Sequence, residues 1–330
     1  TYTEGGIIPS RSRTNNYFVD YGNEASGVTG EFYFGDGGRI FYKYLDTEFL
    51  DFEERNQWQI DLRRIENPTP NTGYAPDARG NRALEYGKYN NTTEVQTLGT
   101  DFFVENWNVE IRASDIELKS ETWLPLPYMS WSDGVTYDVS DPSDPFFTFD
   151  TPLAELQYNP IFSVVDFLNY WGRTNTENQQ YKFDADTSNA LGTFKLGAKF
   201  DQREALGGSA VQYQTLAQYG LSREAIKGYE QPDRLWFTDV RNPIGGFYTD
   251  NKSIFDALVA GGVEFPGLEE ADSDGLVTID EEIVSLYAMQ TIDTGFGSII
   301  LGLRFEDTDF STVGWQLDAE GEEIPLSISK

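Results

Sequence analysis

Along much of the chain apolar and polar residues alternate with a period of two, which predicts β-strands with one greasy and one charged face. From Thr193 to Arg203, Phe194, Leu196, Ala198 and Phe200 alternate with Lys195, Gly197, Lys199 and Asp201. Just upstream, Tyr181, Phe183 and Ala185 alternate with Lys182, Asp184 and Asp186, and the turn Ser188–Gly192 joins the two runs into a hairpin. The same unit recurs three times. Ile299, Leu301, Leu303 and Phe305 follow a partner at Ile283–Ile292 across Asp293–Gly297. Trp107, Val109, Ile111 and Ala113 follow a strand at Thr93–Phe103. Val28–Phe34 precedes Arg39–Asp51 across Gly35–Gly38. The run Gln57–Arg63 extends the alternation, which predicts strands that project past the hairpins proper.

Between the tight turns lie long excursions, about 52–88, 120–177 and 204–280. In a soluble sandwich such lengths argue against the strand assignment. In a transmembrane barrel, short periplasmic turns alternating with long extracellular loops are the expected pattern. The expectation is therefore an all-β fold: an antiparallel transmembrane β-barrel segment of about eight strands. The alternative is a soluble β-protein with one solvated sheet face. Short helices are expected inside the third excursion, at Tyr213–Lys227 and Ser253–Ala260.

Composition changes this picture in two ways. Aromatic residues make up 15% of the chain and the mean hydropathy is -0.49, a combination that barrel strands accommodate because only one face is apolar. No apolar run reaches the roughly 18 residues of a transmembrane helix. The chain holds no Cys and no His, which removes thiolate nucleophiles, the usual zinc sites and Ser-His-Asp triads, and directs the reading away from an enzyme. A net charge of -31 repels phosphate backbones, so no nucleic-acid partner is expected. Thr1 is not a start methionine, and the chain reads as beginning inside a longer precursor.

Two constellations are candidates for chemistry. Trp123, Trp131, Tyr137, Trp171 and Trp236 lie amid Gly, Asn and Asp in the excursions, where aromatic faces beside amides and carboxylates suit sugars or flat ligands. The alternative is an interfacial aromatic girdle or loop packing. The segment Glu270–Glu281 nearly fits a twelve-residue calcium loop, with Glu270, Asp272, Asp274 and Glu281 at ligand positions and Gly275 at the sharp turn. Its flanks do not read as paired helices, and a solvated acidic turn is the alternative. No cofactor is required; calcium in an external loop is the one ion the sequence suggests.

The hairpin from Leu286 to Thr308, containing Tyr287-Ala288-Met289 and Gly302-Leu303-Arg304-Phe305-Glu306, resembles a hairpin of TonB-dependent outer-membrane receptors, especially the Caulobacter- and Xanthomonas-type subfamily. Further resemblance lies in Phe34–Leu45, Phe52–Gln57 and Phe194–Glu204. The resemblance implies the middle part of a 22-stranded barrel closed by a plug. Residues 1–330 would then belong to one barrel domain, with the plug, its TonB box and the C-terminal strands outside this segment. It implies active import of a scarce nutrient, an oligosaccharide or a siderophore-type metal chelate, across the outer membrane of a Gram-negative bacterium. The implied partners are TonB with ExbB and ExbD through the plug, outer-membrane lipid and lipopolysaccharide, and a surface lipoprotein. A passive porin, or a structural or adhesive barrel, is the alternative that the alternation alone supports.

Overall fold

The computed structural model describes residues 2–3, 6–7, 11–35, 37–66, 69, 71–141, 146–159, 163–235, 247–268, 271, 275–317 and 323–329. It is all-β, with 77% of residues in strands and 10% in helices, and among the described residues no helix is long and apolar enough to cross a membrane. In chain order the elements are β1 (Tyr2–Thr3), β2 (Gly6–Ile7), β3 (Arg11–Phe34), β4 (Gly38–Asp61), β5 (Thr72–Val104), β6 (Trp107–Asp138) and β7 (Phe146–Phe149). Next come α1 (Leu153–Tyr158), β8 (Ser163–Asn189), β9 (Gly192–Gln214), a 3-10 turn (Leu216–Tyr219), α2 (Arg223–Lys227), β10 (Glu230–Leu235), β11 (Phe247–Thr249) and α3 (Asn251–Ala260). The chain closes with β12 (Val277–Thr294), β13 (Gly297–Leu317) and β14 (Glu323–Ser329).

One antiparallel sheet of 10 strands dominates, in the order β14-β13-β12-β9-β8-β6-β5-β4-β3 with β7 added on β6. Among the described residues β3 and β14 end the path and do not pair with each other. Every hairpin expected from the alternation is present, and all four turn within two or three residues at one end of the sheet. In the β3–β4 turn Gly35 and Gly37 take φ of 52° and 92°, a left-handed backbone that only glycine adopts without cost.

The strands are much longer than the alternation suggested. β5 holds 33 residues and β6 holds 32, and strand structure runs through most of the segments expected as loops. The connections that remain are 62–71, 139–162 and 215–276. Pro76, Pro125 and Pro127 hid the strands, since each interrupts a strand reading. Pro76 sits in a bulge between Ala75 and Ala78, where the register shifts. Pro125 and Pro127 have the same parity, so their missing N–H groups fall on the same side of β6. There the β5–β6 ladder stops at Ala83↔Tyr128 and resumes only at Lys88↔Trp123, while pairing with β8 continues through Pro125↔Asn169.

Beside the gap the β4–β5 pair is braced from a distance. Asn251, at the start of α3 and 1% exposed, donates its side-chain amide to the backbone carbonyls of Arg55 and Glu85, at 3.0 Å each. Asn56 and Thr249 exchange two further bonds of 3.0 and 3.2 Å, fixing β11 to β4. Beside them Arg82 of β5, fully buried, donates to Gln157 at 2.6 Å, to Tyr158 and Glu230 at 3.2 Å each, and to Thr249. One guanidinium thus ties α1, β10 and β11 to the sheet. The helices expected in the third excursion are found as the 3-10 turn, α2 and α3, and with α1 they cover the loop end of one sheet face. Beneath them lies the core of Trp58, Ile60, Leu84, Met129, Trp131, Phe167, Leu216, Ile226, Ile254 and Leu258.

Register decides what each face carries. Phe32, Ile40, Thr100, Ile111, Phe183, Ala198, Leu286 and Phe305 stand directly opposite one another, one from each of the eight long strands. With the rows on either side they form an apolar belt open to the surroundings, where Phe32 is 66% and Leu303 84% exposed. The belt is roughly seven residues deep, about 20 Å along the strands at about 3.3 Å per residue. Aromatic side chains mark both margins: Tyr42, Tyr44, Tyr181 and Phe200 on one, Phe34, Phe102, Trp107 and Phe194 on the other. Above the belt on the same face, Asp46, Glu94, Glu117, Glu177, Glu204 and Asp280 stand opposite one another on six consecutive strands.

Replacing Asn251 with Ala removes both of its buried bonds to the β4–β5 pair and should lower stability by about 1–3 kcal/mol. Arg82→Met removes the buried guanidinium bonds to Gln157, Tyr158, Glu230 and Thr249 and should cost about 3–5 kcal/mol. Denaturant midpoints of the purified protein, with a surface control such as Lys227→Ala, measure both.

Candidate functional site

The structure moves the aromatic candidates out of loops and into strands. Trp123, Trp131 and Tyr137 belong to β6 and Trp171 to β8, and all four lie on the belt's face beyond the acidic row. Trp131 is 3%, Tyr137 1% and Trp171 0% exposed. Trp131 packs edge-on against Trp58 at 5.2 Å, and Trp123, directly opposite Trp171, is held between Phe255 and Phe265 at 5.2 and 5.8 Å. The Trp123 indole N–H donates to Asn169 at 2.8 Å. These side chains glue the helical cap to the sheet and present no open aromatic platform. Glycine makes room for them: Gly80 stands opposite Trp131, and a Cβ there would overlap the indole. Trp236 lies outside the described residues.

Of the calcium candidates, Glu270, Asp272 and Asp274 also lie outside the described residues. Glu281 is a strand residue of β12, opposite Arg203 and ion-paired with it at 3.3 Å. Among the described residues no group of three or more acidic, His or Cys side chains is arranged to hold a metal ion.

The opposite face of the sheet carries the ionic chemistry. At the depth of the belt it is a ladder of paired charges: Arg39 with Asp101 and Glu31, Arg112 with Glu110, Lys182 with Asp184 at 2.7 Å, Lys199 with Asp201 at 2.5 Å, and Arg304 with Glu306. Most of these side chains are a quarter or more exposed, so each pair contributes only about 0.2–1 kcal/mol. Their main effect is to bring the face close to neutrality. The net charge of -31 therefore has its source elsewhere, the acidic row included.

Further along the polar face, β3, β4 and β5 assemble a cluster of titratable groups. Arg55 stands opposite Tyr17 on one side and Glu85 on the other. Its guanidinium pairs with Glu85, donates to the Tyr17 hydroxyl at 3.2 Å and lies 5.7 Å from that ring's centre. Glu85 is only 3% exposed. Burial pushes its carboxyl above the ordinary value of 4.5, with Arg55 opposing the shift. Burial also raises Tyr89, a shift that Glu85 and Glu53 reinforce, and raises Asp51. A wall with flat tyrosine faces, a paired guanidinium and partly desolvated carboxylates can orient a polar solute by hydrogen bonds. It offers no nucleophile with an adjacent base. Sequence reasoning missed these residues because they fall in the stretch expected as the first loop, although Asp51, Glu53, Arg55 and Gln57 alternate with Phe52, Glu54, Asn56 and Trp58.

Since folding raises the Glu85 pKa, the folded chain holds this proton more tightly than the unfolded one. The group's contribution to stability is then fullest below 4.5 and falls as pH rises through the raised value. Glu85→Gln should flatten the pH dependence of the unfolding midpoint in that window; an unchanged profile would locate the proton elsewhere.

No protein-family model, curated protein or solved structure matches the chain, so its function is read from its own geometry.

Proposed function

We propose that this chain is a wall segment of an outer-membrane β-barrel that imports a nutrient, of the TonB-dependent receptor type its hairpins resemble. The observation that carries the reading is the belt. An apolar surface continuous across eight strands, margined by aromatic side chains on both sides, has no use in water, where exposed apolar patches are kept small. Its depth is of the order of the apolar band on barrel proteins, about 25 Å tall. In this reading the belt meets lipid, the paired charges line the interior, and the sheet's two free ends are joined by further strands.

The reading relocates the ligand site. The aromatic core and its helices share the belt's face, so they lie outside the wall, whereas Tyr17, Arg55, Glu85 and Tyr89 face the interior above the membrane. The solute would meet that tyrosine-rich wall, and TonB with ExbB and ExbD would supply energy through a plug. A passive porin or a structural barrel would use the same belt and is separated by energetics.

Leu286→Arg or Phe305→Arg, both in the belt's central row, should each cost about 2–4 kcal/mol at bilayer mid-depth. Lys195→Ala and Arg304→Ala should change stability far less, and equal tolerance at both sets of positions would reverse the faces. In cells carrying the full-length receptor, uptake should stop when the proton gradient is dissipated; uptake that continues favours the passive barrel.

A further inference from the structure

The polar face changes sign along its upper part. Counted from the loop end toward the belt, its first row is Arg11, Asp61, Arg79 and Ser132 and its second Arg13, Gln59, Asn81 and Ser130, the members of each directly opposite one another on β3, β4, β5 and β6. Three guanidiniums there meet one carboxylate. Asp61 is held by Arg11 and by the Gln59 amide, at 2.5 and 3.1 Å. Arg13 gives its Nε and one terminal nitrogen to the Gln59 carbonyl, at 3.0 and 2.6 Å, a neutral acceptor where the ladder at belt depth uses carboxylates. The exposed Arg79 side chain has no hydrogen bond or ion pair among the described residues. Strands lie about 4.8 Å apart and two residues advance about 7 Å along one, so the three arginines are rooted within roughly 12 Å of one another. Their side chains can reach a common anion.

Nearer the belt the sign reverses. Tyr17 lies four residues below Arg13 and Tyr21 eight, and they are 50% and 66% exposed. Tyr21 stands opposite Asp51, which stands opposite Tyr89, and Glu53 occupies the row above. Neither Asp51 nor Glu53 has an ion-pair partner among the described residues. One row below, Asn23 and Asn91 flank Phe49. From Arg13 to Tyr21 the span is about 26 Å at about 3.3 Å per residue. Cations thus stand at the loop end, and flat rings with carboxylates and amides stand below them on the same wall.

We infer that the solute is an oligosaccharide bearing one oxyanion, a uronate carboxylate or a sugar phosphate. Arg11, Arg13 and Arg79 hold that group at the loop end, and the neutral sugar units lie along Tyr17 and Tyr21 toward Asp51 and Glu53. The inference rests on the importer reading above. Guanidinium forks match carboxylate and phosphate oxygens. Exposed tyrosine faces beside carboxylates and amides suit sugar rings and their hydroxyls. A small anion could not reach both regions, and a chain turned end for end would bring its anion against Asp51 and Glu53, so charge sets the direction.

The test uses the full-length receptor in detergent and isothermal titration with tetrasaccharides of glucose and of galactose, each offered neutral, with one terminal uronate, or with one terminal phosphate. In at least one series an anionic chain should bind about tenfold more tightly than its neutral parent, the scale of one hydrogen bond to a charged group. The tighter of the two anionic chains separates carboxylate from phosphate. Arg13→Gln with Arg79→Gln should bring the anionic chain to the affinity of the neutral one, whereas Lys227→Gln on the helical cap should leave the gap unchanged. Tyr21→Ala should weaken neutral and anionic chains alike. A gap absent from both series, a gap that survives the paired glutamine replacement, or Tyr21→Ala without effect would each overturn the inference and leave the importer reading standing. A full-length protein that keeps its fold in water without detergent would instead overturn that reading itself.

Discussion

Side chains on a strand alternate faces with a period of two, so a slip of one residue in any ladder would exchange the two faces of that strand. Eight long strands here are paired without such a slip over the whole depth of the belt. Everything else follows from that agreement. It turns separate amphipathic segments into one apolar band, it lines up cations with anions on the reverse side, and it aligns six carboxylates on consecutive strands. The last is a cost, about 0.2–1 kcal/mol for each adjacent like-charged pair. The backbone ladders hold the register against it, and the carboxylates are spread along an exposed margin where water screens them.

The hairpins, their turns and the polarity of their faces were legible in the sequence because each depends on local alternation and on glycine-rich turns. Strand length was not. In the upper part of the sheet both faces are in use, one under helices and one toward the tyrosine wall, so Phe52, Arg55, Asn56 and Trp58 show no simple contrast between polar and apolar positions. Proline misled for a similar reason: Pro125 and Pro127 are tolerated because the β5–β6 ladder is interrupted there while pairing with β8 continues.

The candidate site was less legible than the fold. Trp123, Trp131 and Trp171 looked like loop aromatics because the helices that bury them come from far along the chain. The Arg55–Glu85 pair joins residues 30 positions apart that become neighbours only once β4 and β5 are in register. Residue type alone could not distinguish a packing tryptophan from a binding one; burial does.

Asn251 also sets an order of events. It binds the paired residues Arg55 and Glu85 from 166 positions downstream of Glu85. Contacts over such separations form late, since the intervening chain must first give up its freedom. During synthesis the β4–β5 pair therefore exists for a time without this brace, which is set only after β6, β8, β9 and the first helices have emerged. Assembly has a last stitch, and its position in the chain makes that stitch a checkpoint on everything between.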